Sequence, residues 1–140
     1  MTEFVDTNVI LYAKDLNAVR KRQLSIELLE RLTRDGSGTI SIQVLIEFYA
    51  NAIGKYRMPD AEVEDAISGL KLWRIHRPDY SSVIEAIQLH RRHRLHWFDA
   101  MILNSAIEMG CGILWTEDFQ DGQRFGDLVV RNPYKNSQVV

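Results

Sequence analysis

The sequence predicts a layered α/β domain. Three observations carry this: short apolar runs of strand length, amphipathic stretches of helix length between them, and turn or capping residues at the junctions. Strands separated by helices pair in parallel through crossovers, so the strands should lie together in one sheet covered by helices.

Phe4-Val5 is a short apolar entry, and Asp6-Thr7-Asn8 are capping residues before Val9 to Ala13 resumes. This reads as a strand running into a helix start. A helix over about 18–34 follows from Leu24, Leu28, Leu29 and Leu32, stopped by Asp35-Gly36-Ser37-Gly38. Thr39-Ile40-Ser41 reads as a second strand, and Ile42, Leu45, Ile46, Tyr49 and Ile53 share one face of a helix that Gly54 is placed to end. Pro59-Asp60 opens a helix expected to reach Trp73, followed by a strand at Arg74-Ile75-His76. Helices over 81–92 and 98–109, the latter closed by Gly110, and strands at 112–116 and 128–130 complete the prediction.

With 140 residues, 46% hydrophobic and 26% charged, the chain fits one globular domain over 1–140. No run is long enough to span a bilayer, and no secretory signal precedes Phe4-Val5-Asp6, so a cytoplasmic protein without membrane contact is expected. The single cysteine, Cys111, can form neither an internal disulfide nor a cysteine-rich zinc site, which fits a reducing compartment. A net charge of −2 gives no general attraction for nucleic acid, so any such contact must be local. Arg20-Lys21-Arg22 and His90-Arg91-Arg92-His93-Arg94 supply local basic material, although solvated helix faces explain both runs.

The residues that suggest chemistry are acids. Asp6 stands where a strand meets a helix, and its neighbours Thr7 and Asn8 could cap that helix as well, which leaves an acid free for another task. Asp99 falls among Ile102, Leu103 and Ala106 on an apolar helix face, where an unpaired carboxylate is costly and calls for a base or a metal. Asp118 follows a strand, with Asp121 three residues on. Hard divalent ions take such carboxylate oxygens. Glu47 lies between Gln43 and Asn51 on the polar side of its helix, and taken alone reads as a solvated glutamate.

Four segments together resemble the successive motifs of the PIN-domain nucleases, especially the VapC-type toxins of toxin–antitoxin pairs. They are Val5-Asp6-Thr7-Asn8-Val9-Ile10, Ser41 to Phe48, Phe98-Asp99-Ala100-Met101-Ile102, and Trp115-Thr116-Glu117-Asp118-Phe119-Gln120-Asp121-Gly122, with Leu128 to Tyr134 similar as well. The resemblance spans the whole chain and implies a three-layer α/β/α sandwich with a mainly parallel sheet. It implies Mg²⁺- or Mn²⁺-dependent RNA cleavage, with metal-binding roles on Asp6, Glu47, Asp99 and Asp118. It implies supporting hydrogen bonds from Thr7, Asn8 and Thr116. A small antitoxin protein and a homodimer are implied by the resemblance alone.

No nucleophile–base pair adjoins these acids, so water activated by metal is the expected attacking group on phosphorus. Two other chemistries fit parts of the sequence. Asp6-Thr7-Asn8-Val9 superficially matches an aspartyl-phosphate phosphatase, but Asn8 cannot donate the proton that mechanism needs. His90, His93 and His96, on one helix face, could hold a structural metal, against the charge of Arg91, Arg92 and Arg94. A domain of the same fold that binds RNA or protein without catalysis is the remaining alternative.

Overall fold

The computed structural model describes residues 1–135. Its elements, in chain order, are β1 (Glu3–Val5), α1 (Thr7–Tyr12), α2 (Val19–Asp35), β2 (Gly38–Ser41), α3 (Ile42–Gly54), α4 (Asp60–Ser68), β3 (Arg74–His76), α5 (Tyr80–His93), α6 (Trp97–Glu108), β4 (Ile113–Trp115), β5 (Arg124–Phe125) and β6 (Leu128–Arg131). The strands form one sheet in the order β3-β2-β1-β4-β6-β5. All pairings are parallel except β5 with β6. With helices on both sides this is the expected α/β sandwich with a mainly parallel sheet.

The central strands are apolar because both faces are covered: Phe4, Val5, Ile40, Leu114 and Val130 are fully buried. Leu28 and Leu32 of α2, Val44 and Phe48 of α3, and Ile102 and Leu103 of α6 pack into the same core. Chain order reverses at β1, which has β2 on one side and β4 on the other. In an open parallel sheet such a switch point leaves a crevice beyond the strands' C-terminal ends.

Two local readings change. The helix expected to reach Trp73 stops at Ser68, and Leu70 and Trp73 turn inward instead. The reason lies in β2: Gly38 lacks a Cβ, and one there would stand 2.6 Å from the Trp73 ring, while the indole Nε1 donates to Thr33 Oγ1 at 3.1 Å. Gly54 is the last helical residue of α3 rather than a left-handed stop; that conformation falls on Arg57, with φ 51°. The sequence reading also lacks β5, although Gly126-Asp127 between Phe125 and Leu128 is a two-residue hairpin signal.

Candidate active site

The switch-point crevice is where the acids converge. Asp6 directly follows β1 and is the N-cap of α1, accepting from the Thr7 N–H at 2.7 Å. Its second oxygen accepts from Thr116 Oγ1, also at 2.7 Å, just beyond β4. Thr116 Oγ1 in turn accepts from the Asp118 N–H at 3.1 Å, so one hydroxyl ties the loop carrying Asp118 to Asp6. Asp99 comes from the first turn of α6. Carboxylate oxygens of Asp6, Asp99 and Asp118 lie within 4.8 Å of one another.

Glu47 stands outside that set of three but lines the same cleft of about 210 Å³ with Asn8, Asn51, His96 and Phe98. It accepts from Thr7 Oγ1 at 2.7 Å and from Gln43 Nε2 at 3.3 Å, and the same Gln43 amide donates to the Phe98 carbonyl. Gln43, Glu47 and Asn51 do share a helix face, as the spacing indicates, but that face looks into the cleft rather than into open solvent. Asn8 lines the cleft without a support role visible in its contacts. Asp121 is elsewhere: it accepts from the Asn132 N–H at 2.8 Å and pins the C-terminal segment to the loop after β4.

Packing three carboxylates together has the expected electrostatic result. Burial, the Asp118 and Asp99 charges push the Asp6 carboxyl up to about 7, against the hydrogen bonds of Thr116 and Thr7. Asp99 is also raised, by burial first and then by Asp118 and Glu47, with His96 opposing. An all-oxygen donor set with this much uncompensated repulsion suits a hard divalent cation, which would be held by Asp6, Asp99 and Asp118. The phosphatase chemistry fits less well, since Asp6 is only 5% exposed and Asn8, two residues on, lines the cleft with an amide that cannot protonate a leaving group.

The loop carrying Asp118 is held from its other side too. Glu117 accepts from Lys21 Nζ at 2.8 Å and from the Tyr12 hydroxyl, while Lys21 lies over the Tyr12 and Tyr134 rings at 4.7 and 5.3 Å. Lys21 of the first basic run is thereby occupied. The histidines do not share a helix face: α5 ends at His93, and Arg94 adopts φ 53°. His90 Nδ1 bonds the Leu95 carbonyl at 2.6 Å, His93 packs edge-on to Phe125 at 5.0 Å, and His96 joins the acid cleft. His96, Phe98 and Asn51 were not readable as cleft residues; the one available signal is that His96 and Phe98 precede Asp99 within a single turn.

The chain belongs to the PIN domain family, whose model matches residues 4–122. Solved structures share the fold at low sequence identity. A toxin–antitoxin complex from Klebsiella pneumoniae aligns with TM-score 0.70 at 20% identity, covering 95% of this chain and 98% of that one. VapC20 of Mycobacterium tuberculosis, a toxin that cleaves the sarcin–ricin loop, aligns with TM-score 0.60 at 15% identity over 81% and 87% of the two chains. VapBC2 of Rickettsia felis, bound to a DNA fragment from its promoter, aligns with TM-score 0.61 at 20% identity over 94% and 98%. No curated protein sequence is significantly similar to the chain.

Proposed function

We propose that this PIN-domain chain is a divalent-metal-dependent endoribonuclease, the toxin of a type II toxin–antitoxin pair. The observation that carries the proposal is the convergence of Asp6, Asp99 and Asp118 at the sheet's switch point within a PIN fold.

A bound Mg²⁺ or Mn²⁺ ion would supply charge that neutralises the scissile phosphate and lowers the pKa of water. The chain's own residues do the rest. Thr7 and Thr116 fix the two oxygens of Asp6, which leaves its carboxylate pre-oriented. Asp99 and Asp118 close the set from α6 and from the loop after β4. Glu47, held by Thr7 Oγ1, is placed to orient the attacking water or to complete the ligand set. Water attack on phosphorus, with departure of the 3′ oxygen, leaves a 5′-phosphate and a 3′-hydroxyl.

Pairing with a small antitoxin belongs to the same proposal, supported by the toxin–antitoxin structures that share the fold; a homodimeric state and a cytoplasmic location are proposed with it on the family resemblance. Among the described residues, no helix is long and apolar enough to cross a membrane.

The chemistry of the cut ends tests the reading. RNA incubated with the purified chain and Mg²⁺ should yield 5′-phosphate ends that a phosphate-dependent exonuclease degrades. Cyclic 2′,3′-phosphate ends would show that the RNA's own 2′-hydroxyl attacks, and would contradict hydrolysis at the acid cleft.

A further inference from the structure

We infer that Phe98 and His96 form a shelf at the rim of the acid cleft on which an unpaired RNA base stacks beside the scissile phosphate. The inference rests on the ribonuclease reading above and assigns how that site takes hold of its substrate.

A net charge of −2 and a cleft floored by three carboxylates repel a polyanion. Affinity for RNA at this place therefore has to draw on contacts other than a general positive field. Aromatic faces provide one, because every base has a π-face and stacking is largely independent of salt. Phe98 is a large apolar residue left 52% exposed at the start of α6, next in sequence to Asp99 and lining the same cleft. A core residue at that position would turn inward. Its backbone is tied to α3, since Gln43 donates to the Phe98 carbonyl at 3.2 Å.

His96 stands beside it, with ring centroids 6.0 Å apart and ring planes inclined by 36°. It also lines the cleft and is exposed. The two rings thus offer a base face and an imidazole edge together, within one helical turn of Asp99. A base stacked on Phe98 would carry its own phosphate towards Asp99, while His96 could donate to that phosphate. Bases inside a duplex are already stacked on one another and cannot lie on the shelf, so the substrate it fits is a single strand, a loop or a bulge.

The test uses the full chain with the cleavage-impaired Asp99→Asn substitution as background, and a fluorescein-labelled unstructured oligoribonucleotide read by anisotropy. Phe98→Leu keeps an apolar side chain but removes the ring. It should weaken binding about tenfold, and Phe98→Tyr should restore it. His96→Gln should weaken binding by a smaller factor. The slope of log Kd against log salt should not change in Phe98→Leu, because no ionic contact is lost. A blunt-ended duplex of two fully complementary strands, which has no unpaired base, should lose nothing from the same substitution. Melting temperature and oligomeric state should match the background protein.

Equal affinity of Phe98→Leu and its background for the single strand would overturn the shelf while leaving the nuclease reading intact. An equal loss on duplex, or a change of oligomeric state, would overturn it as well, by making Phe98 a structural or interface residue. Absence of RNA cleavage by the wild-type chain would instead overturn the function on which the shelf depends.

Discussion

At the scale of single residues, the site is defined by what its carboxylates cost when uncompensated. The folded state holds a proton on Asp6 that the unfolded chain has already lost, since the carboxyl is raised from 3.8 to about 7. The contribution is therefore fully present below about pH 4 and lost as pH rises through 7. The metal-free protein should melt several degrees lower at pH 8 than at pH 5.5, and the rise in melting temperature produced by Mg²⁺ or Mn²⁺ should be larger at pH 8. Scanning calorimetry at the two pH values checks this; metal-free melting that is equal at both would mean that Asp6 is ionised without penalty. Thr116→Val probes the same carboxylate. It removes one hydrogen bond to Asp6 and the acceptor of the Asp118 N–H, and should cost about 1–3 kcal/mol in urea titration.

At the scale of elements, two contacts hold the structures that carry the acids. The Lys21 and Tyr12 side chains grip Glu117, one residue from Asp118, so that α1 and α2 clamp the loop after β4. Lys21→Met and Tyr12→Phe together should weaken Mn²⁺ binding by about tenfold in calorimetric titration, the range seen when groups that orient metal ligands are removed. Fold stability should fall little, because Lys21 is partly exposed. Unchanged Mn²⁺ affinity would separate the clamp from the site. At β2, Gly38→Ala places a methyl against the buried Trp73 ring and should destabilise the fold by roughly 2 kcal/mol by denaturant unfolding. That close approach also explains why apolar spacing alone overextends α4: Trp73 continues the helical period, but its partners are in β2 and α2. The missing β5 has a different cause. Two residues offer no period to detect, and Gly126-Asp127 acquires meaning only once β6 is known to pair back on it.

At the scale of the molecule, strand order decides what the separate motifs become. Asp6, Asp99 and Asp118 were legible one at a time, Asp6 from a surplus of capping residues and Asp99 from a carboxylate among aliphatic neighbours on its wheel. Their meeting was legible only through resemblance, because Asp6 and Asp118 stand 112 positions apart and nothing local records that β1 and β4 are neighbours. Glu47 shows the limit of the wheel. The face shared with Gln43 and Asn51 is read correctly, yet whether that face meets water or another helix depends on where α6 lies. The histidines show the converse, since a spacing of three means one face only while the helix continues, and Arg94 ends it before His96. The central claim is that the converged acids hold a divalent ion for RNA hydrolysis. Its most direct measurement is the rate of RNA cleavage by chelator-treated protein, free of any partner, as Mg²⁺ or Mn²⁺ is added back, for the wild type and for Asp99→Asn. Cleavage should be absent without metal, return on its addition, and fall by at least about a hundredfold in Asp99→Asn, whose metal-free fold melts no lower than the wild type. Cleavage that survives chelation, or that proceeds at the wild-type rate in Asp99→Asn, would contradict the claim.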